Sequence, residues 1–204
     1  MITPPRCTVC SRPLRGDQRS PCEECRGEPR FYRRGKAIAL YTGMLKELLH
    51  TVKYDFRPEL ADALGSLLAV GLENDPLGDD IDLIIPAPLH PEKQQSRGYN
   101  QAQLLAVPVT KALEKPLAIG VLVKVKPTKS QSGLSRKERK TNISGVFAVT
   151  DCLGVAGQKI LLIDDIVTTG YTLSECARVL LLAGAKEVSV LTLAIGVIED
   201  NWRI

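Results

Sequence analysis

Aromatic side chains are scarce in this chain, at 4% of 204 residues with a single Trp, and there are only two histidines. His50, near the end of an expected helix where a cation is favoured, reads as a surface or packing residue, and His90 as a turn residue. No apolar run approaches the roughly 20 residues needed to span a bilayer. The first residues also lack the apolar core of a secretory signal. The expectation is therefore a cytoplasmic protein without membrane insertion. There is no G-x-x-x-x-G-K-[ST] run and no G-x-G-x-x-G following a strand, which removes the Walker and dinucleotide-binding readings.

What remains is an ordinary balance of 44% hydrophobic and 25% charged residues, enough for one good core and a small appendage. The net charge of +4 is unevenly spread. Residues 1–36 carry +5 and residues 124–140 carry +6, leaving −7 to the rest. Two local anion-facing surfaces are expected, not a generally basic protein.

The most informative stretch is LLIDDIVTTGYTL. Ile160, Leu161, Leu162 and Ile163 show no polar alternation, the pattern of a strand covered on both faces in a parallel sheet. Asp164 and Asp165 are expected where that strand ends. Thr168, Thr169, Gly170 and Thr172 then lead into a helix carrying Leu173, Ala177, Leu180 and Leu181, with Thr172 and Glu175 in the form of a capping box. A strand that passes through a Gly/Thr turn to a helix start presents free N–H groups and a positive dipole end to an anion. Two acids ahead of such a cradle would repel the anion, unless the ligand also carries hydroxyls for them to accept from. A sugar phosphate satisfies both.

This run resembles the phosphoribosyl pyrophosphate (PRPP) motif of type I phosphoribosyltransferases. An Asp pair after a strand also occurs in receiver domains, but without the Thr-Thr-Gly cradle. Leu83-Ile84-Ile85 before Pro86-Ala87-Pro88 is a second buried-strand candidate. By the resemblance, the loop after it would hold pyrophosphate, with Ala87, Pro88 and Leu89 giving backbone contacts and Arg97 a charge.

Cys7-x-x-Cys10 and Cys22-x-x-Cys25 form two knuckles separated by eleven residues. Four thiolates at this spacing can close on zinc; two disulfides or free thiols are the competing readings. Disulfides need an oxidising compartment that nothing else suggests. A site with four sulfur ligands is closed to water, hence structural, and would supply folding energy to a segment too small for a core. Cys152 and Cys176 read as small buried residues.

Elsewhere, Ala37 to Tyr41 is expected as a strand, followed by helical stripes from Met44 to Val52 and from Pro58 to Leu68. A helix from Gln101 to Leu113 is expected to kink or break at Pro108, which costs about 3 kcal/mol inside a helix. Val121–Val125 and Gly145–Val149 are further strands. Between them a basic, Ser/Thr-rich stretch of about 126–144 is expected to be a flexible lid, with Lys129, Arg136, Lys137 and Arg139 as pyrophosphate contacts. Nucleic-acid contact is its rival reading, though the interleaved aromatics of a stacking platform are missing.

Taken in order, the four-Cys knuckle, PAPLHP…RGYNQAQLLA, QSGLSRKERKTNISGVF and LLIDDIVTTGYTLSECARVLLLAGAKEVSVLTLA are similar to the ComF family, from about Cys7 to Ala194. Family resemblance implies an α/β protein: a zinc-binding segment (1–36) fused to a type I phosphoribosyltransferase-like parallel sheet flanked by helices (37–204), linked to DNA uptake in natural competence. Lys93-Gln94-Gln95-Ser96 is less basic than that pattern. The expected ligand is PRPP or another ribose 5-phosphate, held with Mg²⁺ by Asp164, Asp165 and the Thr168–Thr172 loop. The alternative is a non-catalytic competence adaptor that binds single-stranded DNA or a helicase partner through the basic zinc segment.

Overall fold

The computed structural model of the protein describes residues 5–14, 20–55, 57–73, 75–128 and 136–196, with the side chains of 136, 137, 139 and 140 excepted. Its centre is the strand β5 (Lys159–Val167), flanked in a four-stranded sheet by β6 (Glu187–Ile195) and β2 (Leu83–Pro86), with β1 (Arg34–Leu40) outside β6. Every pairing in this sheet is parallel. Consecutive residues of β5 point to opposite faces. Ile160 and Leu162 enter one core with Ile85, Val190, Leu173 and Leu180, while Leu161 and Ile163 enter another with Ile38, Leu105, Val109 and Leu191. The absence of alternation in the sequence thus has its expected cause: both faces are covered.

The second core is closed by helices α2 (Gly43–Tyr54), α3 (Glu59–Val70) and α6 (Gln101–Leu113). The first is closed by α8 (Tyr171–Leu182) and by the antiparallel ribbon of β3 (Leu122–Lys124) and β4 (Phe147–Val149), which adds Leu122 and Phe147. Helix α6 is continuous through Pro108, so of the expected kink or break the break does not occur. Its partner surface explains the tolerance. A methyl group at Gly65 of α3 would lie 2.8 Å from both Leu105 O and Pro108 Cγ, so the two helices approach closely at the proline and their contact offsets its cost.

Three further details depart from the sequence reading. β5 runs on to Val167 because β6 continues to pair with it as far as Ile195, so Asp164 and Asp165 lie inside the strand and not beyond it. Part of the expected lid is regular: Arg136–Ile143 form helix α7, while Lys129 lies outside the described residues. β1 begins at Arg34, so the last residues of the predicted zinc segment belong to the sheet.

Candidate functional site

The carboxyl ends of the parallel strands open on one cavity of about 370 Å³, within the roughly 300–1,000 Å³ of small-molecule sites. This is where open α/β sheets place their ligands. From β5 and its exit come Asp164, Asp165, Thr168, Thr169 and Gly170, and Thr172 follows from α8. From the exit of β2 come Ala87, Pro88 and Leu89. The sequence singled out all of these, and the fold gathers them in one hollow.

Among the described residues, none accepts a hydrogen bond from the backbone N–H groups of Thr168, Thr169 or Gly170. Gly170 caps α8 with φ +75°, a left-handed conformation that favours glycine. The capping box is not formed: the cap is Gly170, and Glu175 instead accepts from the amide of Gly145 and pairs with Arg178. On the opposite wall the backbone supply is thinner than expected. The Ala87 amide donates to Ile163 O at 2.8 Å, Ala87 O accepts from Asn100 Nδ2 at 3.0 Å, and Pro88 has no N–H, so only Leu89 offers an amide there.

The two acids are not equivalent. Asp165 is buried, and its Oδ2 lies 2.5 Å from Lys53 Nζ, close enough for an ion pair although off line for a hydrogen bond. Burial works against the Lys53 ammonium, but attraction to Asp165 and then Asp164 outweighs it and leaves the pKa above the usual value. Asp164 reaches the cavity while protein crowds its carboxyl. Burial first, then the Asp165 charge, hold it well above the ordinary carboxylate range. The two carboxyls thus differ in surroundings, one set against Lys53 and the other against its neighbour's charge, and both have acceptor oxygens suited to adjacent hydroxyls.

Lys53, Tyr41, Tyr54, Gln101 and Lys124 also line the cavity, and none was singled out as a site residue. Lys53 stands four residues after the buried Leu49 and next to the buried Val52, so a cation on the apolar face of α2 was the available signal. Lys124 ends β3, where burial, aided by Lys93, lowers its pKa. Arg97 is not on the cavity wall. It donates to Gln101 Oε1 at 2.5 Å and lies 5.6 Å from the centre of the Tyr54 ring, bracing two residues that are. The side chains of Arg136, Lys137 and Arg139, like Lys129, are outside the described residues.

At the other end of the chain the Sγ atoms of Cys7, Cys10, Cys22 and Cys25 all lie within 4.8 Å of one another. Tetrahedral zinc with Zn–S of about 2.3 Å sets its sulfurs about 3.8 Å apart, and Cys10 Sγ and Cys22 Sγ are 3.7 Å apart. The amides of Val9, Cys10 and Cys22 all point at Cys7 Sγ, at 3.4, 3.4 and 3.2 Å, as donors to a thiolate. The cluster fits a structural zinc ion. Of the other cysteines, Cys176 is buried as expected, whereas Cys152 is exposed.

A parallel sheet with a Thr-Thr-Gly cradle and an acid pair at its carboxyl edge defines a phosphoribosyltransferase-type domain. In agreement, the family model for the phosphoribosyl transferase domain matches residues 100–200. DNA utilization protein YhgH of Escherichia coli (strain K12) is 32% identical over 200 residues, covering 90% of this chain and 87% of its own. Competence protein F of Haemophilus influenzae is 30% identical over 177 residues, covering 85% and 77%. The chain belongs to the ComF family of competence and DNA utilization proteins. Among solved structures, a purine phosphoribosyltransferase from Pyrococcus horikoshii is similar at a TM-score of 0.39 and 20% identity, over 66% of this chain and 71% of that one.

Proposed function

We propose that this protein binds PRPP, or another ribose 5-phosphate, in the cavity at the carboxyl ends of the strands and acts as a phosphoribosyltransferase in the handling of imported DNA. The observation that carries the reading is the juxtaposition of the uncommitted Thr168, Thr169 and Gly170 amides with the Asp164–Asp165 pair. The amides and hydroxyls would hold the 5-phosphate. The acids would accept from the ribose hydroxyls, and the negative charge of the pair would favour the positive charge that develops at the anomeric carbon as pyrophosphate departs.

Asp165 already has Lys53 as counter-ion, so the carboxylates do not form a dedicated metal cage. Mg²⁺ would arrive with the ligand and would supply positive charge to the departing pyrophosphate, with Asp164 the cavity carboxyl not paired with Lys53. Leu89 N–H and Lys124 are the cavity groups available to the pyrophosphate, with the basic residues Lys129, Arg136, Lys137 and Arg139 as lid candidates. Zinc at the four cysteines would be structural, since four thiolates leave no position for water.

The test is calorimetric titration with PRPP and Mg²⁺, followed by pyrophosphate release assays across nucleobases, amines and nucleic-acid ends. Binding with turnover supports the transferase. Binding without turnover on any acceptor supports a non-catalytic adaptor that senses the sugar phosphate, with single-stranded DNA or a helicase as its partner. No binding removes both readings.

A further inference from the structure

The phosphate loop is held from behind by the zinc segment. Arg12, two residues after Cys10, donates through Nη2 both to Thr168 O at 3.2 Å and to Glu24 Oε2 at 3.1 Å. Glu24 lies between Cys22 and Cys25, and the Arg12 carbonyl accepts from the Cys7 amide at 2.7 Å. One residue thus joins the first knuckle through its backbone, the second through Glu24 and the phosphate loop through Thr168. Its side chain is 15% exposed and that of Glu24 16%, so this end of the bridge is shielded, while Thr168 at the other end is exposed.

Further contacts follow the same line. The Tyr32 hydroxyl and Arg30 Nε stand behind Gly170, 3.2 and 3.6 Å from where a Cβ would be. Tyr171 Oη donates to Glu28 at 2.6 Å, and the Phe31 amide donates to Ser174 Oγ at 3.1 Å. In a trans peptide the C=O and N–H point in opposite directions. Anchoring Thr168 O on Arg12 therefore turns the Thr169 N–H away from the zinc segment. Thr168 and Thr169 line the cavity and Arg12 does not.

We propose that Arg12 is a positioning residue that couples metal occupancy of the four-cysteine cluster to the grip of the phosphate loop. The proposal rests on the reading of that loop as a sugar-phosphate site. Among the described residues, the knuckles enclose little apolar surface beyond the cysteines themselves, with Val9 and Leu14 at the margin, so their fold would depend on the metal. When zinc leaves, Arg12 is released, Thr168 O loses its donor and the amides of the cradle lose their common direction. The coupling is reciprocal: what zinc does for the ligand, the ligand does for zinc.

The experiment uses the full chain with two readouts. The first is zinc release to a metallochromic chelator, with and without ribose 5-phosphate. In the wild type, ribose 5-phosphate should slow release about tenfold, a coupling of ordinary size. Arg12→Met should keep one zinc per chain yet lose this protection, and Arg12→Lys, which can still bridge Glu24 and Thr168, should restore part of it. An Arg12 that merely stabilised the knuckle would speed release equally with and without the sugar phosphate, and that result overturns the proposal.

The second readout is amide hydrogen exchange at the start of α8, where the Ser174 amide donates to Gly170 O at 2.9 Å. It should quicken about tenfold on zinc removal and in zinc-loaded Arg12→Met, with β5 unchanged. Unchanged exchange at the start of α8 in both cases refutes the coupling. If stripping zinc also loosens β5, the zinc-loaded Arg12→Met decides. If ribose 5-phosphate fails to bind the zinc-loaded wild type, the functional reading falls, while hydrogen exchange still decides the coupling.

Discussion

Replacing Lys53 by Met should destabilise the fold. Its Nζ is 2.5 Å from Asp165 Oδ2, and the two side chains are 18% and 5% exposed. Removing one partner of a buried pair costs about 3–5 kcal/mol, because the other charge stays behind without compensation. Met keeps the apolar stem of the lysine, so little of the loss comes from packing. The residual access of Lys53 to water places the expectation at the lower end, about 3 kcal/mol, or about 6–12 °C in Tm for a chain of this size. The folded-state pKa of Lys53 is raised. Its contribution is therefore present below the unfolded pKa of about 10.4 and is lost as pH rises through the folded value, so wild type and variant should converge in alkali. Denaturant unfolding of wild type, Lys53→Met, Asp165→Asn and the double variant supplies the assay. The double variant should be more stable than Lys53→Met alone, because no orphaned charge remains. A single variant within 1 kcal/mol of wild type, or a double variant no better than the single, would refute the reasoning.

Other outcomes follow from the same site. Asp164→Asn should raise Tm near neutral pH while weakening PRPP binding: the folded-state pKa of Asp164 is raised, so its stability is present below the unfolded pKa of about 3.9 and falls as pH rises, and thermal melts of wild type and variant should converge in acid. Gly170→Ala should cost about 1–2 kcal/mol for the left-handed φ of +75° and should weaken ribose 5-phosphate binding in a calorimetric titration, because the new methyl meets the Tyr32 hydroxyl. If the basic segments contact single-stranded DNA through about five phosphates, log affinity should fall with log salt at a slope of roughly −3.5. Fluorescence anisotropy across a salt series checks this, and salt-independent affinity would leave only protein partners.

The central strand, the acids and the cradle were legible because each is written in contiguous residues: an unbroken apolar run, a doubled carboxylate, and hydroxyls around a glycine. Their details were not. The strand extends past the acids because β6 pairs with it to Val167, and the helix begins at Gly170 instead of using Thr172 as a cap. Both depend on partners distant in sequence. Lys53, Tyr41 and Gln101 escaped notice for the same reason: they reach the cavity from the ends of α2, β1 and α6, and only the fold sets them beside Asp165. Pro108 does not break its helix, because a local rule about helices is overridden by the close approach of Gly65. The link between the zinc segment and the phosphate loop, 156 residues apart in the chain at Arg12 and Thr168, has no local signature at all.

The central claim, that the acid pair holds ribose hydroxyls while the Thr168–Gly170 amides hold the 5-phosphate, is tested most directly by one calorimetric series on the zinc-loaded protein with Mg²⁺. It compares PRPP and ribose 5-phosphate with 2-deoxyribose 5-phosphate and unphosphorylated ribose, in wild type and in Asp164→Asn/Asp165→Asn. Saturable binding of the first two ligands is expected, with sharp losses on removing either the 2-hydroxyl or the phosphate, and no binding of PRPP to the double variant. Equal affinity for the ribose and deoxyribose phosphates, or an undiminished affinity of the double variant for PRPP, would contradict it.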